Sequence, residues 1–230
     1  MTQQASLGSV NQDGSAGLWQ AYLQHRYAVL FYSLILTLVV APILKMIGMT
    51  GTFLQLFLGL NLLAAVVQFD SRKWRWVLPA ILLGAVLLRI GSLQAGHEGL
   101  AILSLFLWTA IGLYAVFLAL RFALRSSIIT SEHLYAALSS YLLAGVFMGV
   151  LYWSLNQVWP GSIIVNGQEM SQPFLLGEGI YFSFITLATV GYGDMVPGNP
   201  VVRNLAIVEA IAGQFYLAVM IARLMSLYMR

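Results

Sequence analysis

Six consecutive residues, Thr189-Val190-Gly191-Tyr192-Gly193-Asp194, offer a chemistry that needs no reactive side chain. A dehydrated cation needs oxygen atoms in place of its water shell. Consecutive backbone carbonyls supply them when they face one side. An ordinary helix or strand does not present carbonyls in that way. Alternate residues must enter left-handed backbone conformations, which Gly191 and Gly193 do at little steric cost. Thr189 adds a hydroxyl oxygen below its own carbonyl. Val190 and Tyr192 are expected to turn away from the ion and brace the segment from behind. Asp194 falls at the outer mouth, where it either concentrates cations or holds the backbone by hydrogen bonds.

The apolar stretch before these residues, 177–189, sets their position. As a helix it is about 20 Å long at 1.5 Å per residue. A bilayer core of about 30 Å asks for about 20 residues. A re-entrant half-helix follows, tolerated only where protein buries it or a pore wets it. Its C-terminal end carries partial negative charge and favours a cation there.

The rest of the chain suits such a site. Of 230 residues, 60% are hydrophobic and 8% charged, against roughly 25% charged in soluble domains. There is no cysteine, which excludes disulfides and thiolate metal sites. The net charge of +3 does not suggest nucleic acid as a partner. Residues 1–26 are polar and read as a tail. Six segments are long enough, or nearly so, to span a bilayer: 27–47, 53–69, 74–90, 100–122, 134–158 and 201–228. They predict an all-α membrane protein with six transmembrane helices plus the half-helix and its loop. Residues 27–122 form one four-helix unit, 123–133 a linker and 134–230 a second unit. Thr130 or Ser131 is the expected N-cap of the fifth helix.

Positive charge orients the chain. With both termini cytoplasmic, Arg26, Arg72, Lys73, Arg75, Arg121, Arg125, Arg223 and Arg230 lie inside, and Lys45, Arg89 and Arg203 outside. The positive-inside rule favours that arrangement over its inverse. The external loop 159–178 has no Lys or Arg. Its Ile163-Ile164-Val165-Asn166-Gly167 run fits either a small hairpin or an irregular loop with one tight turn.

The sequence Thr-Val-Gly-Tyr-Gly-Asp, with Phe182-Ser183-Phe184-Ile185-Thr186 before it, Pro197 after it and a helix on each side, resembles the pore of potassium channels. The resemblance covers about 134–228. It implies that the carbonyls of Thr189, Val190, Gly191 and Tyr192, with the Thr189 hydroxyl, bind K⁺ as the permeant ion, and that no cofactor takes part. Gly193 completes this selectivity filter. Gly213 matches a hinge glycine of the inner helix. Some bacterial members place a glutamate four residues before the filter threonine, where this chain has Ile185. The paired tryptophans of many pore helices are here Tyr181 and Phe182, and the Tyr181 hydroxyl is within conceivable reach of Asp194. Tyr181, Thr186 and Glu209 are therefore candidate filter supports. Related non-selective channels carry aspartate in place of the filter tyrosine, and this chain keeps Tyr192. A ring of carbonyls needs several copies of a loop that the chain holds once, so a cyclic homotetramer is expected.

Six spans with the pore in the last two resemble voltage-gated channels in layout. A voltage sensor needs several charges in the membrane field, each worth about 2.3 kcal/mol per 100 mV. Residues 100–120 contain no Lys or Arg. Arg121 and Arg125 fall at the cytoplasmic end of that helix, where they suit interfacial anchors or anionic lipid headgroups. Voltage dependence is expected to be weak at most. No regulatory domain is expected after residue 228. Arg89 is read as snorkelling or pairing with Glu98, and Asn61 and Gln68 as interhelical hydrogen-bonding residues. His25, His97 and His133 are read as interfacial.

The competing class is a non-conducting membrane scaffold or modulatory subunit. Both glycines of the filter argue against it. A membrane enzyme finds no metal-binding pair, nucleophile elbow or nucleotide loop in support. The expected location is a cell membrane, as in the inner membrane of bacteria.

Overall fold

The computed structural model describes residues 25–46, 58, 59, 61, 84, 98–125, 130–167 and 173–228. Its elements are α1 (Arg26–Met46), α2 (Glu98–Arg125), α3 (Ser131–Val158), β1 (Ile163–Val165), α4 (Leu176–Leu187), β2 (Met195–Pro197) and α5 (Pro200–Tyr228). The expected spans 53–69 and 74–90, with Gln68, Arg89 and His97, lie outside the described residues, apart from residues 58, 59, 61 and 84. Among the described residues, three helical stretches are long and apolar enough to cross a membrane: Ile102–Arg125, Ser131–Val158 and Pro200–Arg223.

The helix boundaries have local causes. Thr130 caps α3: its hydroxyl lies 2.7 Å from His133 Nδ1, and its N–H donates to the same nitrogen at 3.3 Å. The His133 ring thereby satisfies the Thr130 N–H, one of the donors that a helix start leaves open. The residues expected as a linker, 123–133, are thereby shortened from both sides, since α2 runs on to Arg125 and α3 begins at Ser131. Glu178 caps α4 by accepting the Leu175 N–H at 2.8 Å, and its negative charge suits a helix N-terminus. α1 includes Pro42 within its length.

α3 is the central element, with α1, α2, α4 and α5 all packed against it. Its buried Leu143, Val146, Phe147 and Tyr152 form much of the core, joined by Leu30 and Leu34 of α1. At the other end of the α1–α3 contact, Glu132 accepts the Tyr27 N–H at 2.9 Å. Tyr27 stacks on Phe122, which stacks on His133, both with ring centroids 4.6 Å apart. Asn61 bridges helices as expected: it accepts from Ser33 and donates to Thr37 at 2.9 Å.

α3 and α4 approach backbone to backbone. A Cβ on Gly149 would stand 2.4 Å from the Ile180 Cα, and one on Gly179 would stand 2.6 Å from the Gly149 carbonyl oxygen. The half-helix is thus held close against the long helix before it.

Among the described residues, the loop 159–167 pairs with no neighbouring strand of its own loop. Asn166 and Gly167 do turn with positive φ, at 50° and 75°. β1, however, pairs antiparallel with β2 on the far side of the half-helix, with Ile163 opposite Pro197, Ile164 opposite Val196 and Val165 opposite Met195. The Asn-Gly turn ends a strand whose partner is distant in sequence.

The Gly149 contact yields a test. Gly149→Ala must push α3 and α4 apart, and overpacking of this kind costs about 1–3 kcal/mol. A Cβ on Gly177, one turn before the contact on α4, meets nothing within 4 Å. Thermal unfolding in detergent is expected to show a lower midpoint for Gly149→Ala and an unchanged one for Gly177→Ala. Equal midpoints for parent and Gly149→Ala would contradict the packing.

Candidate functional site

The site begins where α4 stops. Ala188 and Thr189 donate back to Phe184 O at 3.0 Å and to Thr186 O at 2.9 Å. Val190 and Gly191 both donate to Ile185 O, at 2.8 and 3.1 Å. The chain after the half-helix is therefore tied to it through its own N–H groups. Thr189, Gly191 and Gly193 have positive φ, at 55°, 54° and 83°. Every second residue is left-handed, so the alternation includes Thr189 as well as the two glycines. Left-handed backbone is strained for a β-branched residue, and only surrounding contacts keep it so.

Those contacts occupy the N–H groups of Thr189, Val190 and Gly191 and leave the oxygens. Among the described residues, none donates a hydrogen bond to the carbonyl oxygens of residues 189–193. Backbone carbonyls in a folded protein are paired unless water or an ion can meet them. Here five consecutive ones have no donor among the described residues.

The far end of the array is pinned. The Asp194 carbonyl accepts the Asn166 N–H at 2.8 Å, continuing the β1–β2 ladder, and Gly198 N–H donates to Ser162 O at 2.8 Å. Tyr181 Oη donates to Asp194 Oδ2 at 2.8 Å, so the hydroxyl does reach across from α4. That bond holds the Tyr181 hydroxyl above its ordinary pKa. Asp194 Oδ1 is buried and has no partner among the described residues. Thr186, in contrast, turns its hydroxyl back to Phe182 O at 2.8 Å, within its own helix.

α5 contributes three residues from one side. Gly213 sits beneath the end of α4, where a Cβ would lie 2.2 Å from the Leu187 carbonyl oxygen. α5 is continuous through this position, so in this structure the glycine serves a close approach. Gln214 Nε2 donates to Thr189 Oγ1 at 3.2 Å. Glu209 is buried between α3 and α4, accepting from Tyr152 and Ser183. Sequence reasoning did not single out Gln214, Tyr152 or Ser183. Polar residues inside an apolar helix next to the site, Glu209 and Gln214 above all, were the available clue.

Val190 and Tyr192 are 49% and 72% exposed in the single chain. Among the described residues, nothing forms the wall expected behind them. Arg121 and Arg125 are exposed at the last turn of α2.

Comparison with known proteins agrees in part with this geometry. Residues 136–230 match the family model described as "Ion channel". The inward rectifier potassium channel Kirbac3.1 of Paramagnetospirillum magnetotacticum is 32% identical over 71 residues, which are 30% of this chain and 24% of that protein. Two-pore potassium channel 3 of Arabidopsis thaliana is 29% identical over 92 residues, 40% of this chain and 18% of that protein. The chain thus spans less than a quarter of the length of these curated relatives. No solved structure matches it. From residue 136 onward, in a part whose two long helices suit a membrane, the chain is similar to ion channels, and the named relatives are potassium channels.

Proposed function

We propose that this chain is one subunit of a potassium-selective channel, four copies of which surround a common axis lined by residues 189–193. The observation that carries the reading is the run of carbonyls at 189–193 that no described protein group meets. The Thr189 hydroxyl adds a further oxygen at the inner end, and the C-terminus of α4 adds a favourable dipole. Asp194 stands at the outer mouth, held through Tyr181.

Two features support several copies. One loop cannot encircle an ion, and closed rotational symmetry repeats one contact around an axis. Only 17% of the α5 span is buried within the chain, against 56% of the α3 span. Ile207, Val208, Ile211 and Phe215 leave α5 with an apolar exposed face, which neighbouring copies and lipid would cover. Neighbouring copies would also supply the wall behind Val190 and Tyr192. Both termini are placed in the cytoplasm, with Arg121 and Arg125 meeting anionic headgroups.

Flux measurements test this reading. In reconstituted vesicles the parent protein is expected to pass K⁺ far faster than Na⁺, and Tyr192→Asp to pass both. Equal K⁺ and Na⁺ fluxes through the parent would end the proposal of selectivity.

Voltage supplies a second test. α2 bears no Lys or Arg until Arg121, near its end. With no basic side chain in the interior of α2 to move through the field, planar-bilayer recordings are expected to give a shallow conductance–voltage relation. A steep relation carrying several elementary charges per channel would contradict this part of the proposal.

A further inference from the structure

Glu209 lies within the membrane-crossing length of α5, yet it is 3% exposed. An ionisable side chain at such a place is costly, and where one persists its partners point to its use. The partners come from two other helices. Tyr152 Oη of α3 donates to Glu209 Oε2 at 2.6 Å, and Ser183 Oγ of α4 donates to Oε1 at 2.5 Å. The Tyr152 ring is itself fixed edge-on against Phe182, with centroids 4.8 Å apart.

The next turn of each helix repeats the contact in another form. Gly213 follows Glu209 by four residues on α5, and Leu187 follows Ser183 by four on α4. A Cβ on Gly213 would lie 2.2 Å from Leu187 O. Residues four apart share a helix face, so α4 and α5 meet along one face in parallel register. The Gly213 contact sets how close the helices come, but a smooth backbone contact does not stop them sliding. The Glu209–Ser183 bond does. Sliding would strip a buried carboxyl group of both its donors and leave its oxygens unpaired, at the cost of desolvating them without compensation. Gln214, next to Gly213, then reaches Thr189 itself.

We propose that Glu209 is a positioning residue for the filter: it locks α5 in register with α4, so that a displacement of α5 is transmitted to residues 189–193. The inference rests on reading those residues as the filter. Glu209 is buried behind the half-helix, and it acts through Ser183 and the end of α4. Tyr152 holds the carboxylate from the third side and fixes both helices to α3.

Hydrogen exchange tests this without requiring conduction. The reporters are the Val190 and Gly191 N–H groups, which bond Ile185 O at the end of α4. The full chain in detergent is compared with Glu209→Gln, Ser183→Ala and Tyr152→Phe. Exchange across residues 186–194 is expected to rise several-fold in Glu209→Gln and Ser183→Ala and less in Tyr152→Phe, while exchange in α2 stays at the parent rate. Parent-like exchange across 186–194 in both Glu209→Gln and Ser183→Ala would overturn the proposal. So would a rise spread equally over α2, α3 and α5, which marks a general brace and not a register lock. If Glu209→Gln does not fold, the other two variants decide by the same criterion. A parent that passes Na⁺ as readily as K⁺ would remove the filter reading and leave the register lock standing as a structural result.

Discussion

A backbone that lends its carbonyls to an ion cannot also use them in a helix or a ladder. Everything around residues 189–193 follows from that constraint. The N–H groups of Val190 and Gly191 are taken by a single oxygen, that of Ile185. The other end is fixed when Asp194 O accepts from Asn166. Along residues 189–193, three left-handed residues alternate with ordinary ones, and no described group donates to the oxygens. In a membrane, such unpaired groups survive only beside water or an ion. The short length of α4 and the strain at Thr189 are both parts of one solution.

The supporting elements hold the anchors at a fixed spacing. α3 carries α4 through the close contact of Gly149 with Ile180. β1 and β2 join the loop before the half-helix to the loop after the oxygen array. α5 closes the inner side with Gly213 against Leu187 O. What one chain does not provide is enclosure. Tyr192 is largely exposed and α5 leaves most of its apolar surface uncovered. The fourfold ring proposed above would bring neighbouring copies against both, which is the physical reason to propose it over a single-chain scaffold.

The local features were legible in the sequence because local sterics set them. Glycine at alternate positions announced the left-handed backbone, and the length of the apolar run announced a half-helix. Thr189 with positive φ was not legible, since its own sterics oppose it and tertiary contacts hold it there. The partner of β1 was not legible for a related reason. An Asn-Gly turn marks a bend, but which strand lies opposite is decided by chain closure around α4. The linker expected at 123–133 was overdrawn because polar residues can begin a helix as well as separate two, as Thr130 and His133 do. Glu209 stood out as a misplaced acid. Its donors, Tyr152 and Ser183, come from elsewhere in the chain, and no periodicity connects them.

The central claim is that the free oxygens of residues 189–193 hold cations on an axis shared by several copies. Crystals of the assembled protein grown with thallium in place of potassium test it most directly, through anomalous scattering. The account predicts a line of peaks on a fourfold axis, flanked by the carbonyl oxygens of Thr189, Val190, Gly191 and Tyr192. Thallium peaks elsewhere, or residues 189–193 lying away from any symmetry axis, would contradict it.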